Sequence, residues 1–465
     1  MADPTITELA KSVADTQTAL NIVWTIVAGA LVMFMQAGFA LVETGLTRAK
    51  NMAHTMGMNF LVYAIGILGF YFVGFGLQMG GMGPMATFGG EEMLKASSEF
   101  TVNLFGKNFG LFGTSGFMLP PSMFTPAVAA MFFFQMIFMD TTCTIPTGAL
   151  AERWRFTSFV IFSFVIATII YPVYGNWVWG GGWLSQLGAN FGLGHGHVDF
   201  AGSSVVHMTG GVIAFFAARQ LGPRIGKYTS DGKINPIPPH NIAQVITGTF
   251  ILAFGWFGFN AGSTLSGMDT QLAIAALNTM LASASGAFAA FLFTTWKFGK
   301  PDPSWLANGM LAGLVAITAP CAFVDAWAAL LIGAIAGVLV VVAAVFIDTK
   351  LKVDDPVGAI AVHGVNGTFG IVALGLFANG RYGDGWNGVA GKVTGAFYGD
   401  VSQLWAELIG ISANIIYVGI VASVAFFVIG KLVGNRVSPE DEVGGLDIPE
   451  MGVLGYNNDP GPVAR

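Results

Sequence analysis

The chain has 465 residues, of which 54% are hydrophobic and only 10% are charged. Soluble proteins carry about 25% charged residues, so this composition excludes a water-soluble fold and predicts an all-α protein that crosses a lipid bilayer many times. The net charge of -6 offers no basic surface for nucleic acid, and Cys143 and Cys321 both fall in apolar runs, which excludes a disulfide framework.

Apolar runs long enough to cross a hydrocarbon core of ~30 Å as helices predict eleven transmembrane spans. They lie at 21–43, 56–79, 123–149, 156–178, 202–221, 241–262, 271–296, 305–322, 326–347, 358–378 and 405–433. No basic segment precedes the first run, so the N-terminus does not resemble a cleavable signal peptide. We expect a membrane domain at 1–433 and a solvated polar tail at 434–465.

Basic residues predict the orientation of the spans. One set of loops, together with the tail, holds fifteen of the 20 Lys and Arg residues: Arg48, Lys50, Arg153, Arg155, Arg219, Arg224, Lys227, Lys233, Lys297, Lys300, Lys350, Lys352, Lys431, Arg436 and Arg465. The other side holds the remaining five: Lys11, Lys95, Lys107, Arg381 and Lys392. Because cytoplasmic loops are enriched in Lys and Arg, we expect the N-terminus outside and the C-terminus in the cytoplasm.

Two pairs of short strings indicate an internal repeat. VVHMTGG at 205–211 in the fifth span matches AVHGVNG at 361–367 in the tenth, and QAG at 36–38 echoes NAG at 260–262. These matches predict two halves, spans 1–5 and 6–10, followed by an eleventh helix. An odd number of spans in each half forces inverted topology, which is typical of transporters and channels with a site near the midplane.

His207 and His363 lie near the middle of the fifth and tenth spans, at matching places in the two halves. Two imidazoles can share a proton in an N–H···N bond, and a neutral imidazole is tolerated in a low dielectric. The alternatives are two unrelated core histidines bonded to carbonyl groups, or a haem held by both rings. The matching positions favour a shared functional site, and no cofactor or metal is expected.

Several other polar residues are candidates. Asp199 opens the fifth span, where it either attracts cations or caps the helix, and its position alone favours capping. Asp140 lies inside the third span, where a structural role and a role in ion passage are equally compatible with the sequence. Glu43 is expected to bond a neighbouring group at the end of the first span. His195 and His197 form an H-x-H-x-D pattern with Asp199, for which metal binding is the weaker alternative.

Seven strings resemble the ammonium transporter family, which comprises the Amt proteins and methylammonium permeases, with the Rhesus proteins as distant relatives. They are GALAERWRF at 148–156, VWGGGWL at 178–184, DFAGSSVVH at 199–207, GWFGFNAGS at 255–263, VDDP at 353–356, VHGVNG at 362–367 and GLD at 445–447. The resemblance covers nearly the whole chain in the family's order. It implies transport of ammonium and ammonia for nitrogen uptake, without enzymatic activity, in a bacterial inner (plasma) membrane.

The resemblance also assigns roles that the residue pattern alone does not. The chain has 40 phenylalanines, so the pattern cannot distinguish a functional aromatic residue from one in the core. Phe138, Trp179 and Ser263 would bind ammonium at an outer site. Phe138 and Phe259 would form a stacked gate. His207 and His363 would be the twin histidines of the pore. Asp199 would support the outer site without binding the ion directly.

By this resemblance, ammonium is deprotonated because burying an isolated charge in an apolar pore costs tens of kcal/mol, and neutral ammonia passes the histidines. Proton movement through the histidine pair and water is a hypothesis. The alternative from another class is an ammonium sensor, which binds the ion at the same outer site without throughput.

The resemblance further implies a homotrimer with one pore in each protomer and a PII-type signalling protein as a cytoplasmic partner. Three positions depart from the family pattern. Gly358 stands where a second acidic residue is expected before His363, and Asp140 stands where relatives have a small or apolar residue. Met451 replaces a histidine of the tail, which weakens the expectation of regulation by a PII-type protein.

Overall fold

The computed structural model describes residues 5–90, 94 and 98–456. Its main helices, numbered in chain order, are α1 (Ile6–Leu46), α2 (Ala49–Met79), α3 (Pro126–Leu150), α4 (Phe156–Trp179), α5 (Thr209–Leu221), α6 (Ile242–Thr264), α7 (Gln271–Phe298), α8 (Pro303–Ile317), α9 (Ala326–Leu351), α10 (Ile360–Phe377) and α11 (Val401–Leu432). The strands β1 (Glu99–Leu104) and β2 (Lys107–Gly113) form an antiparallel hairpin between α2 and α3.

The prediction of a helical membrane protein is confirmed. Within the described residues, nine helices are long and apolar enough to cross a membrane. The other two, α5 and α8, lie where the fifth and eighth spans were predicted but are shorter. Each predicted span thus coincides with a helix, while the count of eleven spans stays a prediction.

Polar side chains cap the starts of several helices. Thr125, Asn241 and Asp302 each accept a hydrogen bond from a backbone N–H of the first helical turn, which satisfies a donor that the helix leaves free. The helix α1 begins at Ile6, ahead of the predicted span at 21–43, because Thr5 and Glu8 form a capping box at its start.

The two halves of the bundle run in opposite directions. The end of α2 and the start of α3 flank the hairpin, and we call this end of the bundle the hairpin end and the opposite one the tail end. α1 runs from the hairpin end to the tail end, whereas α6 runs the other way beside it. Gly38 and Gly248 let these two backbones meet, because a Cβ at Gly38 would lie 2.9 Å from the Gly248 carbonyl oxygen.

The tail folds back on the bundle, so the prediction of a solvated end is wrong for residues 434–456. Glu442 and Asp447 are buried. Asp447 accepts a hydrogen bond from the His54 N–H at the start of α2 at 3.0 Å, and Glu450 accepts one from the Phe156 N–H at the start of α4 at 2.7 Å. Carboxylates are stabilised at helix N-termini, which explains why an acidic segment docks there.

Two basic residues used to predict the orientation, Lys95 and Arg465, lie outside the described residues, as does the rest of the tail from residue 457.

A buried ion cluster beneath the tail joins the loops that contain AERWRF and VDDP. Arg224 contacts both carboxylate oxygens of Asp354 at 2.8 and 2.9 Å and Glu152 at 2.7 Å. Burial opposes ionisation of Asp354, but hydrogen bonds from Arg224 and the charges of Arg153 and Arg224 hold the pKa of Asp354 well below its ordinary value. The cluster therefore ties three loops together at the tail end.

Candidate functional site

A cavity of about 140 Å³ opens at the hairpin end, and Phe138, Trp179 and Ser263 all line it. The Trp179 indole N–H donates to the Asp199 carbonyl at 2.7 Å, and the Ser263 hydroxyl donates to the Phe259 carbonyl at 2.7 Å. Both donor hydrogens are therefore used by the protein. The Ser263 oxygen lone pairs and the Trp179 ring remain to accept a small cation or hydrogen-bond donor.

Asp199 lies behind this cavity as a helix cap. Its carboxylate accepts hydrogen bonds at 2.7–2.9 Å from the backbone N–H groups of four residues and from the Ser204 hydroxyl: Gly202, Ser203, Ser204 and Val205. Asp199 is only 1% exposed. All five donors belong to the segment that begins the fifth span, so the geometry agrees with the capping interpretation.

The other two residues of the H-x-H-x-D pattern have separate partners. The His197 ring bonds the Ser204 hydroxyl at 2.9 Å and the Glu407 carboxylate at 2.6 Å, whereas the His195 ring bonds the Gly391 carbonyl at 3.0 Å. Within the described ranges, no group of three His, Cys, Asp or Glu side chains could hold a metal ion.

Two stacked phenylalanines close the floor of the cavity. The ring centroids of Phe138 and Phe259 lie 4.3 Å apart with an interplanar angle of 30°, and both side chains are fully buried. Trp179 meets Phe138 edge-on at 5.9 Å. On the other side, the Phe259 ring stacks on His207 at 5.2 Å. The residues assigned by resemblance therefore form one continuous aromatic column.

The two histidines meet at the end of this column. The Nδ1 atoms of His207 and His363 lie 3.1 Å apart, which requires one N–H donor and one acceptor. Each histidine lies in a π-helical turn, Ser203–Met208 or Ile360–Val365, a local structure that is frequent at functional sites. The His207 Nε2 atom has no hydrogen-bond partner in the described part of the chain.

Glycines four residues after each histidine allow this crossing. A Cβ on Gly211 would collide with the backbone of Gly364, and one on Gly367 would collide with the backbone of Ser203 and Met208. The repeated Val-His and Gly spacing in the sequence thus marks the place where the two histidine-bearing segments cross at close distance. The structure brings the histidine pair together as the repeat predicts.

Sequence reasoning missed Asp355. Its carboxylate accepts hydrogen bonds from the N–H groups of Val357, Gly358 and Ile360 at 2.7–3.2 Å, at the start of α10. Asp355 precedes His363 by eight residues, as Asp199 precedes His207. Gly358 itself offers no carboxylate, but Asp355 supplies one to the start of α10. The equal spacing was the signal that could have found it.

A second cavity, of about 220 Å³, lies at the tail end and is lined by Asp355, Gly358 and Ala361 among others. Ala361 is two residues from His363 in the same π-helical turn. The histidine pair therefore lies between two cavities, with the stacked phenylalanines on one side and the start of α10 on the other.

Asp140 is not part of this column. Although Phe138 faces the column, Asp140 faces Gly66 of α2, where a Cβ would lie 3.9 Å from the Asp140 Oδ1 atom. Asp140 is 2% exposed, and Oδ1 has no hydrogen-bond partner within the described residues. Glu43 is also buried, but it accepts hydrogen bonds from Asn59 and Thr147, as expected for a group bonded to a neighbouring helix.

Comparisons with known proteins agree on one family. The model of the "Ammonium Transporter Family" matches residues 23–456. The chain is 43% identical to "Ammonium transporter Amt2" of Archaeoglobus fulgidus, over 98% of this chain and 92% of that protein. It is 37% identical to "Ammonium transporter Amt1" of Haloferax mediterranei, over 94% and 79% of the two chains.

Two solved structures have the same fold. One is titled "Sensor Amt Protein", with a TM-score of 0.81 and 35% identity, covering 94% of this chain and 99% of that one. The other is Mep2 of Saccharomyces cerevisiae, with a TM-score of 0.77 and 26% identity, covering 97% and 94%. By sequence and by fold, this chain belongs to the ammonium transporter family.

Proposed function

We propose that the protein moves ammonium across a membrane by separating it into ammonia, which crosses beside His207 and His363, and a proton. The observation that carries this proposal is the order of groups between the two cavities. The first is an aromatic cavity that can bind a cation. The stacked rings of Phe138 and Phe259 follow as a barrier, and the imidazole rings of His207 and His363 lie beyond them.

Ammonium binds in the hairpin-side cavity at Trp179 and Ser263. A cation–π contact is worth about 0.5–2 kcal/mol, and the Ser263 oxygen accepts one N–H bond. Such binding enriches the ion but still releases it, which conduction requires.

The Phe138–Phe259 pair then selects for a species without charge. Moving a bare charge past these buried rings costs far more than the cavity supplies, so ammonium releases a proton before it passes. Potassium has no proton to release, and the same barrier excludes it. Ammonia is a small donor and acceptor, and the imidazoles can exchange hydrogen bonds with it.

The orientation and assembly belong to the same proposal. We place the protein in a bacterial inner membrane as a homotrimer, with the hairpin end outside and the tail end in the cytoplasm. The basic loops support this orientation. Residues 1–433 form the transport domain and 434–465 the tail, whose contacts with the starts of α2 and α4 would present it to a PII-type signalling protein.

A second candidate is an ammonium sensor, which binds at the same cavity and signals without throughput. The similarity of this chain to the structure titled "Sensor Amt Protein" supports the sensor as a second candidate. Uptake of radiolabelled methylammonium by proteoliposomes separates the two functions. The proposed function predicts uptake that rises with the amount of protein per vesicle. Uptake equal to that of protein-free vesicles, with retained ammonium binding, would contradict it and favour the sensor.

A further inference from the structure

Two neighbouring side chains of α11 hold the loop that leads into the fifth span. The Gln403 side chain accepts a hydrogen bond from the His195 N–H at 2.9 Å and donates one to the Gly196 carbonyl at 2.8 Å. Glu407 lies one helical turn further along α11. Its carboxylate accepts hydrogen bonds from the Val198 N–H at 3.0 Å and from the Gln403 amide at 2.7 Å. The eleventh helix therefore fixes the backbone of this loop.

His197 of the same loop lies against α11 between Glu407 and Gly410. Its Nδ1 atom lies 2.6 Å from the Glu407 carboxylate, and neither side chain is exposed. A Cβ at Gly410 would collide with the imidazole ring, so a larger residue would push His197 away from α11. Because a buried carboxylate is costly without partners, the close contact with His197 is needed to keep Glu407 in this position.

Ser204 connects His197 to the helix cap of the fifth span. The His197 Nε2 atom lies 2.9 Å from the Ser204 oxygen, and the Ser204 hydroxyl donates to the Asp199 carboxylate at 2.8 Å. Since Asp199 uses the one hydroxyl hydrogen of Ser204, the Ser204 oxygen accepts a hydrogen bond from His197 Nε2–H. Glu407, His197, Ser204 and Asp199 thus form one buried chain of hydrogen-bonded side chains.

The chain ends at Trp179, in the wall of the hairpin-side cavity. The Trp179 indole N–H donates to the Asp199 carbonyl at 2.7 Å. Gly202, whose N–H donates to the Asp199 carboxylate at 2.9 Å, packs against the same indole, because a Cβ at Gly202 would lie 3.2 Å from the Trp179 Cη2 atom. A displacement of Asp199 would therefore change both the hydrogen bond of the indole and the packing of its ring.

We propose that Glu407 is a positioning residue for ammonium binding, which acts through His197, Ser204 and Asp199 to hold Trp179 in place. The proposal rests on the proposed function, because Trp179 binds ammonium only there. Glu407 does not line the hairpin-side cavity, so its effect on the ion is indirect. A binding group that is held in its bound orientation before the ligand arrives costs less free energy to order on binding.

Two replacements of Glu407 separate hydrogen bonding from side-chain size. Glu407→Gln keeps an oxygen that accepts from Val198 and Gln403, and its amide can donate to His197 Nδ1 while Nε2–H still donates to Ser204. Glu407→Leu has a similar size but makes none of these hydrogen bonds. The chain should therefore persist in Glu407→Gln and break in Glu407→Leu.

The test measures the uptake of radiolabelled methylammonium by proteoliposomes as a function of its concentration. Glu407→Leu should raise the half-saturation concentration about twofold to thirtyfold, the range that corresponds to a cation–π contact. The maximal rate should stay near that of the wild type, because the stacked phenylalanines and the histidine pair are unchanged. Glu407→Gln should have the half-saturation concentration of the wild type. An unchanged value in Glu407→Leu, or an equally raised value in Glu407→Gln, would overturn the proposal.

Asn414→Leu is the matched control on the same helix. Asn414 is buried and donates to the Thr209 hydroxyl at 2.8 Å, so its replacement also removes a buried hydrogen bond between α11 and the bundle. Both leucine variants should unfold at a lower temperature than the wild type. Only Glu407→Leu should have a raised half-saturation concentration, and an equal rise in Asn414→Leu would overturn the positioning role.

Further outcomes separate this proposal from the proposed function. If Glu407→Leu does not fold, Ser204→Ala breaks the chain at its next link, and an unchanged half-saturation concentration in that variant overturns the positioning role. Wild-type protein without uptake overturns the proposed function, and the dissociation constant for ammonium from titration calorimetry then gives the same comparison of variants. Wild-type uptake with equal half-saturation concentrations in all variants overturns only the positioning role.

Discussion

His207 and His363 come from matching π-helical turns in the two inverted halves, and their Nδ1 atoms face each other at 3.1 Å. Both rings are almost completely buried. One ring therefore donates an N–H to the other, which fixes the orientation of both rings. This contact joins the two halves of the bundle between the hairpin-side and tail-side cavities.

Replacing His363 with Ala should weaken both folding and transport. His207 would lose the partner of its Nδ1 atom, which costs about 1–3 kcal/mol for a buried polar group, and ammonia would lose one hydrogen-bonding surface. Thermal unfolding in detergent and methylammonium uptake check the two effects. His240→Ala is the control, because His240 contacts Thr47 and Tyr456 at the tail end. Equal uptake in both variants would contradict a pore at the histidine pair.

Asp199→Ala should destabilise the protein more than Asp355→Ala. Asp199 accepts five hydrogen bonds and Asp355 accepts three, and hydrogen bonds to a charged group are the stronger ones. Because a buried donor left without a partner costs about 1–3 kcal/mol, both variants should unfold at a lower temperature than the wild type. An Asp199→Ala variant as stable as the wild type would show that the cap is not needed.

Glu99 should make stability depend on pH at the hairpin end. Burial raises the pKa of Glu99 from 4.5 to about 7, against the opposing hydrogen bond from Asn176. Between these values the folded protein holds the proton more tightly than the unfolded chain, so the stabilising contribution is full below pH 4.5 and is lost as pH rises towards 7. Glu99→Gln cannot titrate.

The measurement for Glu99 is the difference in unfolding temperature between Glu99→Gln and the wild type. As pH rises from 4.5 to 7, the wild type should lose stability relative to Glu99→Gln, so the difference in unfolding temperature should increase. Above pH 7 the difference should stay constant. A constant difference across the whole range would show that the Glu99 proton is not linked to folding.

Asp354→Asn should be strongly destabilising near neutral pH, because it leaves Arg224 and Arg153 with one carboxylate fewer in a buried cluster. Removing one partner of a buried ion pair costs about 3–5 kcal/mol. The pKa of Asp354 is held below its ordinary 3.8, so the wild-type advantage is full above that pH and is lost on further acidification. Unfolding temperatures at pH 7 and in acid check this; an advantage that persists unchanged in acid would contradict it.

The sequence predicted those features that repeat or that run along a single segment. Apolar runs located the helices, and the Val-His and Gly spacing located the His207–His363 contact. The aromatic site required the family resemblance, because nothing local distinguishes Phe138 or Phe259 among so many apolar residues. Their roles become visible only when α3 and α6 cross.

Contacts between distant segments that share no repeated pattern could not be predicted. The tail looked like a solvated end because its partners, the free N–H groups at the starts of α2 and α4, lie hundreds of residues away in sequence. The surroundings of Asp140 depend in the same way on α2 and α4. Asp355 was predictable from its spacing to His363, because Asp199 has the same spacing to His207.

The most direct test of the proposed function is the transient current of purified protein in proteoliposomes on a solid-supported membrane, pulsed first with ammonium and then with potassium. We expect sustained charge transfer with ammonium alone, increasing with protein density, because only ammonium can release a proton before the Phe138–Phe259 barrier. A small charge displacement that decays at once and ignores protein density, or an equal current with potassium, would contradict selective transport through this column.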